Sequence, residues 1–312
     1  MITVRKSVGG TLMTLESIQK NTWIDMINPS DNEVDLVSKQ TGIPDDMLKA
    51  SLDEEESAHI DYEGNFRMII VDIPIIEEEN DNYVYNTIPL SIITGEGNFV
   101  TVCLKETSIT NDFAEGRIKS FSTERPLKFI LQILYRNSVK FLSYLKQIDK
   151  TSHRIQSELQ KSMKNKEIFQ LLELEKSLVY FSTASKANQV VIEKIAKFEE
   201  LKDMPEEMDL LNDLIIENKQ AIEMCNIYRE ILTGTMDAFA SIINNNVNIV
   251  MKLLTIITII MSLPTLIASL WGMNVPVPFG GNPAGFWLVL AITLPLTVCF
   301  ALLLINKTRK IK

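Results

Sequence analysis

The chain has 312 residues and a formal net charge of −9 at pH 7, and 46% of its residues are hydrophobic. This acidic balance argues against nucleic acid as a partner, because phosphate contacts require basic surfaces. Three cysteines without CxxC spacing and two isolated histidines indicate neither a disulfide framework nor a zinc site. They also provide no nucleophile and base pair, so an enzyme is not expected.

Residues 1–124 predict an α+β domain with one sheet. A hairpin is expected around Gly9 and Gly10, and Ser30 with Glu33 forms a capping box for a helix that ends near Gly42. Apolar runs bounded by turn residues predict strands at residues 23–27, 66–73, 83–93 and 99–104, and a second short helix is expected near residue 44.

Two acidic clusters in this domain, at residues 53–56 and 77–79, are candidates for binding divalent cations, because hard ions prefer carboxylate oxygens. Neither cluster has the alternating ligand spacing of a defined loop site. A solvated surface is therefore the favoured interpretation.

Residues 125–252 predict a helical stalk. A first helix starts near Pro126, and a basic turn at residues 161–166, interpreted as a solvated tip, leads into a second at 166–198. Apolar residues recur every seven positions in the first helix, which is typical of packing against a partner helix: Leu127, Leu134, Phe141, Ile148 and Ile155.

A third helix is predicted to begin at Pro205, which three acids follow at the positive end of the helix dipole. No further proline occurs before Pro264, so the helix is expected to continue without interruption for ~98 Å at ~1.5 Å per residue. Gly234 marks either a close helix contact or a hinge, and Pro264 a possible kink.

Residues 253–312 predict two membrane spans, because no charged residue occurs from Leu253 to Asn306 and this window holds two apolar runs. The runs, at residues 253–270 and 286–305, are each close to the ~20 residues that cross a bilayer. Lys252 precedes the first run, and a basic tail, Lys307 to Lys312, follows the second. Positive residues mark the cytoplasmic side, so both termini are expected in the cytoplasm and the loop 271–285 outside.

A polar stripe runs through the third helix and its apolar span. Its members follow one another at alternating steps of four and three, which places them on one helical face. All but the methionine are polar or charged: Asp237, Ser241, Asn244, Asn248, Met251, Thr255, Thr258, Ser262, Thr265 and Ser269.

The hydroxyls of this stripe allow two interpretations. Serine and threonine in membrane helices commonly bond to their own i−4 carbonyl or to a neighbouring helix. Five hydroxyls in register, continued inward by Asn248 and Asn244 and outward by Asn274, favour a water-lined path instead. A lone chain cannot enclose such a path, so the stripe predicts a homo-oligomer.

The sequence Trp271-Gly272-Met273-Asn274, directly after the first span, resembles the Gly-Met-Asn motif of the CorA family of magnesium transporters. The resemblance extends to residues 248–257 and to Pro264 and Thr265. The order of an α+β domain, long helices and two spans agrees over the whole chain.

This resemblance implies a homopentamer in the plasma membrane, with five copies of the long helix around the pore. It implies that Gly272, Met273 and Asn274 bind the hydrated ion at the entrance. It also implies that Asn248, Met251 and Leu254 form the narrow inner pore, whose apolar pair can close by dewetting.

The resemblance further implies that Asp237 is a regulatory acid at which intracellular Mg²⁺ binds between subunits and closes the pore. For the opposing acid, an ungapped alignment places Lys49 where the family pattern has an aspartate. Asp45, Asp46 and Asp53 are the candidates to replace it.

The sequence therefore predicts a divalent cation channel for Mg²⁺, driven by the membrane potential and gated by intracellular Mg²⁺, with no organic cofactor. One alternative is a Zn²⁺ or Co²⁺/Ni²⁺ transporter on the same scaffold. An alternative of another class is a membrane-anchored oligomeric scaffold or sensor without flux, in which the polar stripe only holds helices together.

Overall fold

A computed structural model describes residues 1–9, 11–79, 82–118, 121–162, 165–275, 277–278 and 284–309. The chain divides into two compact units, Met1–Met236 and Asp237–Lys312. The turns expected at residues 9–10, 80–82 and 161–166, the loop 271–285 and the basic tail each lie partly outside the described residues. The predicted division at residues 124/125 and 252/253 stays a prediction.

The first unit contains one mixed sheet of seven strands in the order β2-β1-β3-β7-β6-β5-β4. Strand β3 pairs in parallel with β7, and the other neighbours are antiparallel. The strands are β1 (Ile2–Val8), β2 (Thr11–Leu15), β3 (Trp23–Ile27), β4 (His59–Glu63), β5 (Phe66–Glu79), β6 (Asn82–Gly95) and β7 (Asn98–Cys103). The predicted α+β domain with one sheet is confirmed.

The central strands are buried on both faces, as their nearly continuous apolar sequence requires. On one face, Ile69, Val71 and Ile73 of β5 pack with residues of the long helices, and on the other, Met68 and Ile70 pack with residues of the two short helices. The helices of this unit are α1 (Asp31–Thr41), α2 (Asp45–Lys49), α3 (Ser108–Ala114), α4 (Pro126–Ser162), α5 (Asn165–Ile195) and the first part of α6 (Pro205–Trp271).

The predicted capping box and the end of α1 are confirmed. The backbone N–H of Ser30 donates to Glu33 Oε2 at 2.9 Å, which satisfies a group that the first turn leaves without a partner. The helix ends at Gly42, whose φ of 76° is left-handed and favours glycine. Strand β3 has the predicted bounds, whereas β5 and β6 extend beyond the predicted runs to form one long hairpin.

The predicted heptad of α4 is also confirmed, because Leu127, Leu134, Phe141, Ile148 and Ile155 are all buried. The prediction missed β4 and α3. Strand β4 has the sequence HIDYE and is half-buried or exposed along its length, so it lacks the apolar alternation of an interior strand.

The side chains of two asparagines complete the edge of β5 where it extends beyond the last residue paired with β4. Asn188 accepts from the backbone N–H of Asp72 at 2.9 Å and donates to its carbonyl at 2.8 Å, and Asn137 donates to the same carbonyl at 2.8 Å. An amide side chain thus replaces a neighbouring strand, and α4 and α5 are fixed to the sheet at this point.

Burial raises the pKa of the Asp72 carboxyl to about 6. An acid whose pKa is higher in the folded than in the unfolded protein destabilises the fold when it is ionised, and this cost is complete above pH 6 and absent below the unfolded value of 3.8. We expect Asp72→Asn to stabilise the protein at pH 8 by roughly 1–3 kcal/mol, with a gain that disappears as the pH falls to about 4. Thermal unfolding of the detergent-solubilised chain across this pH range measures the effect, and an equal gain at all pH values would contradict it.

The second unit contains the remainder of α6 and the helix α7 (Ala284–Arg309). Helix α6 is continuous over 67 residues, with Pro264 inside it, so the predicted uninterrupted helix is confirmed. Both helices are long and apolar enough to cross a membrane, with mean hydropathies of 2.2 and 2.5 over the most apolar stretch. Those stretches are 0% and 6% buried, which distinguishes them from core helices of a soluble domain.

Candidate ion pathway

The polar stripe lies on α6 with its side chains exposed along the whole of the second unit. Met251 is 56% exposed and the neighbouring Leu254 57% exposed, so this apolar pair is uncovered in the single chain. The exposed members of the stripe are Asp237, Ser241, Asn244, Asn248, Met251, Thr255, Thr258, Ser262, Thr265 and Ser269.

The opposite face of the same span is less exposed. At 100° per residue its half-buried positions project away from the hydroxyls, and they include Ile256 and Ile260. Helix α7 has a half-buried face of its own, at Val289, Thr293 and Thr297. The stripe therefore lies on the more exposed side of the span.

Four of the five stripe hydroxyls in the apolar span, residues 253–270, donate hydrogen bonds to carbonyls of their own helix. The Thr255 hydroxyl donates to the backbone carbonyl of Met251 at 2.8 Å, and the Thr258 hydroxyl donates to that of Leu254 at 2.8 Å. Ser262 donates to the carbonyl of Ile259 at 2.8 Å and Thr265 to that of Met261 at 3.0 Å. The bonding that is common for hydroxyls in apolar helices is therefore present, although all four side chains remain exposed.

An open groove is lined by the C-terminal part of the stripe and by α7. Thr258, Ser262, Thr265 and Ser269 all line it, and Phe300 of α7 contributes one wall. The sequence does not indicate this position of Phe300, because an aromatic residue in an apolar span gives no sign of its neighbours.

The Gly-Met-Asn triplet follows directly after the last residue of α6. The backbone N–H of Gly272 donates to the carbonyl of Ala268 at 2.9 Å, which continues the helical hydrogen-bond pattern one residue beyond α6. A Cβ at Gly272 would lie 3.3 Å from that oxygen, closer than ordinary contact, so a larger residue requires a shift of a few tenths of an ångström there. Met273 is 53% exposed, and Asn274 is also exposed, so both side chains are free to meet an ion or water.

Asp237 is exposed, and within the described residues no cation lies within ion-pair distance of it. The sequence also allows Asp237 to be a stalk acid bonded to a neighbouring lysine, and no such ion pair is present among the described residues of the single chain. Lys49, at the position of the family's opposing acid, pairs instead with Asp31 at 2.9 Å. Asp45 and Asp46 lie in the first turn of α2.

Neither acidic cluster forms a metal centre within one chain. Among the described residues, no group of three or more histidine, cysteine, aspartate or glutamate side chains is arranged to hold a metal ion. Gly234 is exposed, and a Cβ added there would meet open space. Its role as a close helix contact or a hinge stays a prediction.

The chain combines a mixed-sheet domain with two apolar helices, of which the first, α6, is the continuous long helix that carries the polar stripe. These features are those of a two-span membrane transporter. The family model described as "CorA-like Mg2+ transporter protein" matches residues 19–309. The chain belongs to this family, whose members are transporters and not enzymes.

Similar proteins support the same assignment. The "Cobalt/magnesium transport protein CorA" of Methanocaldococcus jannaschii is 31% identical over 297 residues, which cover 89% of this chain and 88% of that protein. The complete structure of the CorA magnesium transporter from Methanocaldococcus jannaschii matches with a TM-score of 0.84 and 25% identity, over 97% of this chain and 96% of the other. Full-length CmaX shares the fold, with a TM-score of 0.69 and 14% identity over 99% and 97% of the two chains.

Proposed function

We propose that this transporter is a homopentameric channel that conducts Mg²⁺ into the cell along the stripe of α6. The observation that carries the proposal is the unbroken exposure of the stripe from Asp237 to Ser269 on one continuous helix. Several copies of α6 can enclose this line, whereas one chain cannot. Residues 1–124 then form a cytosolic domain, 125–252 a stalk and 253–312 the membrane part, with both termini cytoplasmic in a plasma membrane.

The ion enters in this proposal at a ring of Gly272, Met273 and Asn274. Mg²⁺ gives up its water reluctantly, and a ring of amide and carbonyl oxygens holds the hydrated ion without removing that water. No carboxylate lies in the membrane part, so the ion is not bound too tightly to leave the site. A divalent ion gains roughly 4.6 kcal/mol per 100 mV of membrane potential, which drives influx without a nucleotide.

The inner constriction of the proposed pore consists of Asn248, Met251 and Leu254. A ring of the apolar pair closes by dewetting when the helices approach one another. Asp237 lies two turns or more further towards the cytoplasm on the same face, where bound Mg²⁺ draws subunits together. Mg²⁺ is thus both the transported ion and the regulatory ligand.

Two alternatives follow from particular observations. The name of the Methanocaldococcus relative includes cobalt, and neutral oxygen ligands prefer Mg²⁺ without excluding softer ions. A scaffold without flux is favoured by the hydrogen bonds of the hydroxyls to their own helix, since these hydroxyls need no water to donate to. Flux into proteoliposomes, compared for Mg²⁺, Co²⁺ and Zn²⁺ under an inside-negative potential, decides among the three.

Accessibility of the stripe gives a second test of the pore. We expect Thr255→Cys, Thr258→Cys, Ser262→Cys and Thr265→Cys to react with a small charged thiol reagent when the channel is open. We expect Ile256→Cys and Ile260→Cys on the opposite face to react much more slowly. The parent is a variant that lacks Cys103, Cys225 and Cys299, of which Cys299 is exposed and the other two are buried with a raised thiol pKa. Equal labelling around the helix would reject the pore assignment.

A further inference from the structure

The membrane part of α6 has no charged group with which to distinguish cations from anions. The whole stretch from Leu253 to Asn306 is uncharged, and the nearest charge on α6, Lys252, is positive and therefore repels cations. Within the membrane part, preference for a cation must consequently come from neutral groups that line the path.

Four hydroxyl side chains of the stripe present only one kind of hydrogen-bonding group to their surroundings. A carbonyl oxygen carries no hydrogen, so each contact between a hydroxyl and a carbonyl of the helix uses the hydroxyl hydrogen. This holds for Thr255, Thr258, Ser262 and Thr265, whose contacts with the carbonyls are 2.8–3.0 Å long. The oxygen lone pairs remain, and the side chains are exposed on the face where the stripe lies.

We propose that these four hydroxyls form a line of acceptors without donors, and that this line selects the sign of the permeating ion. The proposal rests on the proposed function, since it assumes that the stripe lines the pore. The waters around a cation direct their hydrogens outward, and the exposed hydroxyl oxygens accept these hydrogens. A hydrated anion exposes water oxygens and needs donors, which this line does not provide.

The hydrogen bonds to the helix are therefore part of the function and not an alternative to it. Because each hydroxyl hydrogen has a partner in the helix, the side chain cannot rotate to donate without giving up a bond of about 0.5–1.5 kcal/mol. The same bonds hold each oxygen in a fixed position along the path. Helix α7 provides a matched comparison, since Thr293 donates to its own helix at Val289 over 2.7 Å but lies on a half-buried face outside the stripe.

The test uses the full-length oligomer in proteoliposomes and measures Mg²⁺ influx and chloride permeability for each variant. Thr258→Val keeps the shape of the side chain but removes the oxygen, and we expect Mg²⁺ influx to fall about tenfold, the effect of ~1.4 kcal/mol. Thr258→Ser keeps the oxygen and is expected to remain within about twofold of the wild type, and the control Thr293→Val likewise. Size-exclusion chromatography confirms that each variant keeps the oligomer.

A second variant separates the role of the acceptors from a merely structural effect of the hydroxyls on the helix. Thr258→Asn places an amide with two donors on the line, and we expect the ratio of chloride to Mg²⁺ permeability to rise severalfold. If the hydroxyl of Thr258 acted only by bending α6, its loss would change the rate of Mg²⁺ influx and leave the ratio of chloride to Mg²⁺ permeability unchanged. Wild-type influx in Thr258→Val, or a wild-type ratio in Thr258→Asn, would overturn the acceptor line alone. Absence of any divalent flux in the wild type would overturn the proposed channel with it.

Discussion

Asn274→Ala is expected to abolish Mg²⁺ uptake while the oligomer stays intact. Asn274 is exposed just beyond the end of α6, and in the proposed pentamer its amide oxygen appears once per subunit in the ring that meets the hydrated ion. Each lost hydrogen bond costs about 0.5–1.5 kcal/mol, so the loss of the whole ring lowers influx by about 100-fold or more. Mg²⁺ entry into proteoliposomes measures the effect.

Two further variants control this experiment. Asn306→Ala removes an exposed amide at the far end of α7 and is expected to leave influx unchanged. Gly272→Ala keeps the amide of Asn274 but places a Cβ 3.3 Å from the carbonyl of Ala268, so it is expected to reduce influx by displacing the turn. If Asn274→Ala conducts at the wild-type rate, the triplet is not the ion entrance.

The sequence was sufficient to predict those parts of the fold that follow from local spacing. Every member of the stripe follows from steps of four and three, and the five heptad residues of α4 are buried as predicted. The capping box of α1 is another local signal, because both of its residues and the glycine that ends the helix lie within a short segment.

The features that the sequence did not reveal depend on contacts between distant segments. Segment β4 forms a strand because it pairs with β5. Its own polar sequence does not favour a strand. Asn137 and Asn188 bind the backbone of Asp72 across 65 and 116 residues of sequence. No local sequence motif therefore predicts these contacts.

The candidate pathway shows the same division. The alternation of polar residues predicts which face of α6 they share, but the direction of each hydroxyl depends on a side-chain rotamer. From the sequence alone, bonding to the helix and lining a water-filled path are therefore alternative interpretations of the same hydroxyls. The geometry makes them compatible, since an exposed hydroxyl can donate to the helix and accept from water at once.

Asp237→Ala is expected to weaken inhibition by internal Mg²⁺ and to leave the affinity of the outer site nearly unchanged. Asp237 begins the stripe, about 24 Å along the helix from Leu253 at ~1.5 Å per residue, too far from the membrane span to act as its filter. Its exposed carboxylate lacks an ion-pair partner in the described part of the chain. Carboxylates of neighbouring subunits repel one another when metal is absent, and bound Mg²⁺ relieves this repulsion and favours the closed state.

The inhibitory concentration of internal Mg²⁺ is expected to rise about tenfold in Asp237→Ala, within the usual range of coupling between two sites. Asp213→Ala is the matched control, because Asp213 is an exposed acid of α6 that projects about 120° away from the stripe at 100° per residue. Influx is measured against a series of internal Mg²⁺ concentrations at fixed external Mg²⁺. If internal Mg²⁺ still closes the variant at the wild-type concentration, the regulatory site lies elsewhere, and the acids at residues 53–56 are the next group to substitute.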